Sequence, residues 1–81
     1  MSEINSVFER VKAIVVDTLM LEDATRVQPE SEFINDLYVD KMDFLELVVA
    51  WENEFNIQIP GDDAEKLTSV QEVVDYIIRL Q

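Results

Sequence analysis

The sequence predicts an all-α protein, a four-helix bundle made of three longer helices and one short helix. Apolar residues recur at three- and four-residue spacings in three separate stretches of the 81-residue chain, the pattern of amphipathic helices that each bury one face. The chain holds one glycine and two prolines, so few residues would break those helices. Its strand-like alternation at 56–59 spans four residues, too few to predict a paired strand.

The first helix is predicted over residues 3–19, with Ser2 or Asn5 as its N-cap. Residues 20–39 show no sustained period and include turn-forming residues, which predicts a long ordered connection. The apolar side chains of this connection are expected to be held in the core: Leu21, Val27, Phe33, Ile34 and Leu37.

A second helix is predicted over residues 41–55. Asp40 is a good N-cap for it, and Asp43 three residues later brings the arrangement close to a capping box. Residues 56–59 are predicted to be an extended connection. The periodic pattern that predicts this helix runs through Met42, Leu45, Val48, Val49, Glu52 and Phe55.

A short third helix is predicted within residues 60–66, where acidic residues follow Pro60. Residues 68–71, from Thr68 to Gln71, are then predicted to form a capping box that opens the last helix. The residues of the last helix that are expected to face the core are Val70, Val73, Val74, Ile77 and Ile78.

Composition limits the function classes. The length predicts one domain over residues 1–81, near the lower size at which a core alone holds a fold. The chain has no cysteine and no histidine, which excludes disulfides and the usual zinc ligands. A net charge of −12 disfavours nucleic acid and anionic membranes and favours basic protein surfaces. The N-terminus does not resemble a secretion signal, so a cytoplasmic or organelle-matrix location is expected.

Residues 36–47 nearly match a known attachment site. Their sequence is Asp-Leu-Tyr-Val-Asp-Lys-Met-Asp-Phe-Leu-Glu-Leu. The stretch resembles the Asp-Leu-Gly-x-Asp-Ser-Leu/Met-Asp signature of acyl carrier proteins, in which the serine carries 4′-phosphopantetheine. Segments 8–12, 33–37, 52–55 and 64–70 resemble the same family, so the likeness covers essentially the whole chain. The resemblance implies the four-helix fold of that family and a role in carrying acyl intermediates for fatty acid or polyketide-type biosynthesis.

The resemblance also implies roles for individual residues. Lys41 stands at the position of the attachment serine, between Asp40 and Met42. Acidic residues along the second helix of the family dock onto basic patches of acyl-transferring, acyl-modifying and phosphopantetheinyl transferase enzymes, and the matching residues are Asp43, Glu46, Glu52 and Glu54. The residues that would line an acyl cavity between the helices are Leu45, Val48, Val49, Trp51, Phe55, Leu67 and Ile77.

Each of these roles has a plain structural alternative. An exposed helix face looks acidic on any protein of this charge, and an apolar stripe is ordinary core in a domain this small. Trp51 is bulkier than the aliphatic residue common at its position, so it is expected to fill part of any cavity.

Lys41 changes the chemistry of the attachment position. Phosphopantetheinylation needs an alcohol acceptor, whereas a lysine amine is normally protonated at neutral pH and would form a less durable phosphoramidate. We therefore expect 4′-phosphopantetheine, the cofactor of the family, to be absent from this chain. Tyr38 replaces the usual glycine before the site, either blocking space for the prosthetic arm or serving as an ordinary surface aromatic.

The sequence leaves two functions open. One is an acyl carrier scaffold that stays unloaded, as a natural paralogue or through substitution of its serine. The other is an interaction or regulatory module, without acyl chemistry, that holds basic partners on the acidic second helix. The chain is expected to be a monomer. An enzyme is not expected, since the sequence shows no nucleophile paired with a base and no phosphate-binding glycine loop.

Overall fold

The computed structural model describes residues 3–80, with side chains from residue 6 onward, and it confirms the all-α prediction. No β-strand forms among these residues; Glu32 and Ser69 make one isolated antiparallel bridge. The helices are α1 (Glu3–Leu19), α2 (Lys41–Phe55), α3 (Gly61–Ala64) and α4 (Val70–Leu80), with a 3-10 helix at Ala24–Arg26 in the long connection.

Helix α1 is the centre of the packing, because α4 and α2 both lie against it. Val7, Val11 and Val15 occupy one stripe of α1 and are fully or almost fully buried, as the four-residue spacing dictates. The helix ends at Leu19. The next residue, Met20, has a φ of 54°, and the Leu21 N–H donates to the Val16 carbonyl over 3.0 Å, as in a Schellman motif. The predicted N-cap, Ser2 or Asn5, lies outside the described side chains.

The connection between α1 and α2 is ordered by apolar anchors and backbone hydrogen bonds. Val27, Phe33 and Leu37 are buried as predicted. Ile34 is 74% exposed, so its predicted place in the core is wrong. The Phe33 N–H donates to the Thr68 carbonyl over 3.0 Å and the Phe33 carbonyl accepts from the Val39 N–H over 2.8 Å, which turns Phe33 inward and its neighbour outward.

Helix α2 buries part of its predicted apolar pattern, including Val48 and Phe55, and leaves the rest exposed. Its buried residues are Leu47, Val48, Trp51 and Phe55. Leu45 and Val49, which the resemblance places in an acyl cavity between the helices, are each 54% exposed, so that placement is wrong. Met42 is 72% exposed. The helix carries two apolar stripes at helical spacing, and the one with the larger aromatic side chains lies against the core.

Helices α3 and α4 close the fold. Ala64 of α3 is buried, and the buried residues of α4 are Val70, Val73, Val74 and Ile77. The capping box forms one residue later than predicted: the Glu72 N–H donates to Ser69 Oγ over 3.3 Å, and the Ser69 N–H donates to Glu72 Oε1 over 3.2 Å. Within residues 3–80, no helix combines the length and apolarity that crossing a membrane requires.

Loss of this cap is expected to lower stability in a pH-dependent way. The Thr68 hydroxyl and N–H, followed by Ser69, donate to the carboxylate and hold the pKa of Glu72 below its ordinary value of 4.5. We expect Glu72→Ala to cost about 1 kcal/mol at neutral pH. A carboxyl with a lowered pKa stabilises the fold above its ordinary pKa and stops doing so as the pH falls through the folded-state pKa.

The difference between wild type and Glu72→Ala should therefore shrink as the pH falls below about 4.5. Urea unfolding at neutral pH and in acid measures it. Glu9→Ala, which removes an exposed carboxyl of α1, is the matched control. A deficit that stays constant in acid would contradict the assignment.

Candidate functional site

The attachment position lies at the solvent-facing start of α2. The Asp43 N–H donates to Asp40 Oδ1 over 2.8 Å, so Asp40 caps the helix as predicted. Lys41 is the first residue of α2 and is exposed, and its ammonium makes no ion pair with a described side chain. Met42, which follows the predicted attachment position, is also exposed. The helix therefore presents position 41 outward.

Tyr38 adopts a backbone conformation that suits glycine. Its φ is 56°, in the left-handed region, where the Cβ atom of an L residue comes too close to the following carbonyl oxygen. This explains why glycine is usual at the matching position. The side chain is 77% exposed, so it lies at the surface three residues before Lys41.

Replacing Tyr38 with glycine is expected to stabilise the fold. The left-handed conformation costs an ordinary residue about 1–2 kcal/mol, and a glycine avoids this cost. Glycine also makes the unfolded chain more flexible, which lowers the free energy of unfolding by about 0.5–1 kcal/mol. The net expectation is a gain of about 0.5–1 kcal/mol, measured as a higher urea midpoint. Asn56 has a φ of 55° but tolerates it well, so Asn56→Gly should gain much less. Equal gains at the two positions would argue against strain at Tyr38.

A groove of about 610 Å³ opens beside Lys41. Its volume lies in the range of small-molecule sites, about 300–1,000 Å³. Its walls come from the loop before α2, the first turn of α2, and the segment from α3 to Thr68. The residues that line it are Glu32, Phe33, Ile34, Asn35, Val39, Asp40, Lys41, Phe44, Ala64, Glu65, Leu67 and Thr68.

Five of the seven predicted acyl-cavity residues lie in the core and two do not. Val48, Trp51, Phe55, Leu67 and Ile77 are buried, whereas Leu45 and Val49 are exposed. Of the seven, Leu67 alone lines the groove. The sequence interpretation missed Phe44 and Val39, although Phe44, Leu47, Val48, Trp51 and Phe55 form a stripe with the same helical spacing.

Trp51 fills the space under the aromatic wall of the groove. Its ring centroid lies 5.7 Å from that of Phe33 and 6.2 Å from that of Phe44. The residue is fully buried, and its Nε1 atom has no hydrogen-bond partner within the described part of the chain. A buried indole N–H without a hydrogen-bond partner lowers the free energy of unfolding relative to a hydrogen-bonded one.

The surface of α2 that faces solvent combines apolar and acidic side chains. Met42, Leu45 and Val49 follow one another at three- and four-residue spacings and are exposed. Glu46, which is exposed, and Asp43, which is half-exposed, lie beside this stripe. We call these five residues the outer face of α2. An exposed apolar stripe bordered by charge is typical of a protein-binding surface.

The other two predicted docking acids have partners within the fold. Glu52 is half-buried, and its Oε2 atom accepts a 2.7 Å hydrogen bond from the Ile59 N–H. Glu54 pairs with Arg10 of α1 over 2.8 Å, and the same guanidinium lies 4.3 Å above the centre of the Phe55 ring. Of the four acids, Asp43 and Glu46 remain on the outer face.

Comparison with known proteins agrees with this geometry. A family model described as a phosphopantetheine attachment site matches residues 9–77. The acyl carrier protein of Helicobacter hepaticus is 53% identical over 70 residues, which cover 86% of this chain and 91% of that protein. The chain belongs to the acyl carrier protein family. The acyl carrier protein of Clostridium acetobutylicum is 51% identical over 71 residues, covering 88% of this chain and 91% of that protein.

Acyl carrier proteins are carriers and not enzymes, in agreement with the sequence prediction. They interact with acyl-handling enzymes and phosphopantetheinyl transferases, and the cofactor of the family is 4′-phosphopantetheine. The described residues do not fit that group at position 41, because a lysine has no hydroxyl to esterify. Two aliphatic hydroxyls elsewhere in the fold are engaged: Thr68 donates to Glu72, and Ser31 is buried and donates to the Arg26 carbonyl over 3.0 Å.

Proposed function

We propose that this chain is an acyl carrier protein scaffold that stays without phosphopantetheine and binds acyl-handling enzymes through the outer face of α2. The single observation that carries the proposal is Lys41, exposed at the first position of α2 where the family has its serine. The enzymes would belong to fatty acid or polyketide-type biosynthesis. A single domain over residues 1–81, a monomeric state, and a cytoplasmic or organelle-matrix location are part of the same proposal.

The composition of the outer face supports a basic partner with an apolar centre. Met42, Leu45 and Val49 would supply contact area, while Asp43 and Glu46 would steer a positively charged surface toward it. The net charge of −12 acts in the same direction at longer range. Glu52 and Glu54 are left out of this surface because their carboxylates already have partners within the fold.

Reversal of one acid on the outer face tests the docking surface. We expect Glu46→Lys to weaken binding to a broad-specificity phosphopantetheinyl transferase about tenfold, measured as the Kd by calorimetry. Glu9→Lys makes the same charge change on an exposed position of α1 and should change the Kd little. Equal losses in both variants would mean that overall charge drives binding, which would argue against a defined docking surface on α2.

The same binding experiment separates the two functions that the sequence leaves open. The unloaded-carrier proposal requires that wild type binds the transferase and keeps its unmodified mass after incubation with coenzyme A. Absence of binding by the folded protein would contradict it and favour an interaction module outside acyl metabolism.

A further inference from the structure

Helix α3 is short and has no side-chain cap. It has four residues, far below the length at which a helix is stable by itself. Its N-cap, Pro60, makes no side-chain capping hydrogen bond. The position of α3 therefore depends on contacts with the rest of the fold.

The segment that contains α3 is fixed at both ends. Before it, the Ile59 N–H donates to Glu52 Oε2 over 2.7 Å. After it, the Thr68 carbonyl accepts from the Phe33 N–H over 3.0 Å. Residues 60–67 therefore form a flap that runs from one anchored end to the other.

A side-chain hydrogen bond attaches the middle of the flap to α4. The Tyr76 hydroxyl donates to Asp63 Oδ2 over 2.7 Å in a partly buried setting. This hydrogen bond, more than any other cause, raises the pKa of Tyr76 above its ordinary value of 10.0. The phenol therefore stays protonated, and able to donate, throughout the physiological pH range.

The flap also forms one wall of the groove beside Lys41. Ala64 and Leu67 are buried in the core, and together with Glu65 they line the groove. Outward movement of α3 would therefore widen the groove and expose the core beneath these two apolar side chains.

We propose that Tyr76 is a latch for this flap: its hydrogen bond to Asp63 holds α3 against α4 and keeps the groove beside Lys41 at its observed width. With both ends of the flap anchored, release of the latch frees the middle of the segment without unfolding its neighbours. The latch does not depend on the proposed docking function, because it is a property of the isolated chain.

Amide hydrogen exchange of the Tyr76→Phe variant tests the latch. The N–H groups of Ala64, Glu65, Lys66 and Leu67 donate within the flap, so their exchange reports its opening. Removal of one hydrogen bond to a carboxylate should speed their exchange about five- to tenfold and leave the central amides of α1 unchanged. The matched control is Gln71→Ala, which removes the 2.9 Å hydrogen bond from Gln71 to Asp75 within α4 and should leave the flap amides unchanged.

A second pair of variants assigns the effect to the bond with Asp63. Asp63→Ala should speed exchange as Tyr76→Phe does, and the double variant should be no faster than either single one. Asp62→Ala removes the neighbouring acid from the same turn and should have little effect. Unchanged flap exchange in Tyr76→Phe would overturn the latch. Equal acceleration in every helix would also overturn it, since Tyr76 would then support the whole fold.

Discussion

Replacement of Lys41 by serine is expected to turn this chain into a substrate for phosphopantetheinyl transfer. The variant would place a hydroxyl at the exposed start of α2, after the Asp40 cap, in a scaffold that belongs to the acyl carrier protein family. Serine also removes a cation from the positive end of the helix dipole, which favours the helix by about 0.3–1 kcal/mol. Intact mass spectrometry after incubation with coenzyme A and a broad-specificity transferase measures the change.

Two other variants show whether a gain of the pantetheine mass by Lys41→Ser depends on the serine hydroxyl and on the space around position 41. Lys41→Ala removes the amine without supplying a hydroxyl and should stay unmodified, like wild type. If folded Lys41→Ser also stays unmodified, Lys41→Ser/Tyr38→Gly tests whether the exposed ring of Tyr38 blocks the transferase. Failure of this double variant would contradict a carrier surface around position 41. A gain of the pantetheine mass by wild type would contradict the unloaded state.

Truncation of Trp51 is expected to have the largest effect on stability. The side chain is fully buried and packs on Phe33 and Phe44. Tryptophan-to-alanine changes in cores cost about 3–5 kcal/mol, and small domains have only about 5 kcal/mol or somewhat more in total. Trp51→Ala should therefore be largely unfolded or close to its unfolding midpoint at ambient temperature. Circular dichroism in urea measures this, since the change removes the single tryptophan of the chain.

Trp51→Phe is the informative comparison. It retains an aromatic ring beside Phe33 and Phe44 and removes the Nε1 donor that has no partner among the described residues. Because burial of an unpaired N–H costs about 1–3 kcal/mol, its removal offsets much of the lost volume. We expect a change within about 1 kcal/mol of wild type. A loss close to that of Trp51→Ala would show that the indole shape, and not simply aromatic bulk, stabilises this region.

The sequence was sufficient to predict the helices because their signals are local. Apolar spacing fixes the extent of α1, and the Asp40 cap fixes the start of α2. The shift of the last capping box has a local cause as well: Thr68 and Ser69 are both good caps, and Gln71 and Glu72 are both suitable third residues. In the observed capping box Val70 is buried, and its N–H donates to the Ser31 carbonyl of the long connection over 3.0 Å.

The orientation of α2 and the partners of its acids depend on distant residues. Two apolar stripes satisfy the same periodicity, and the aromatic packing of Phe33 from the long connection accompanies the inward stripe. Nothing near Glu54 in the sequence shows that Arg10, 44 positions earlier, binds it. The backbone turn that sends Ile34 outward likewise uses a carbonyl of Thr68. Local patterns therefore determine where the helices lie in the sequence, whereas long-range contacts determine which side chains form the candidate site.

The outer face of α2 has a consequence for how copies of this protein behave toward each other. An apolar stripe exposed on a helix would normally invite self-association. Here every copy carries a net charge of −12, and Asp43 and Glu46 place part of it beside the stripe, so the repulsion between two copies also acts where they would otherwise associate. Under the proposed docking function, the acidity of the chain would act as a colloidal stabiliser that keeps the outer face of α2 available for oppositely charged proteins.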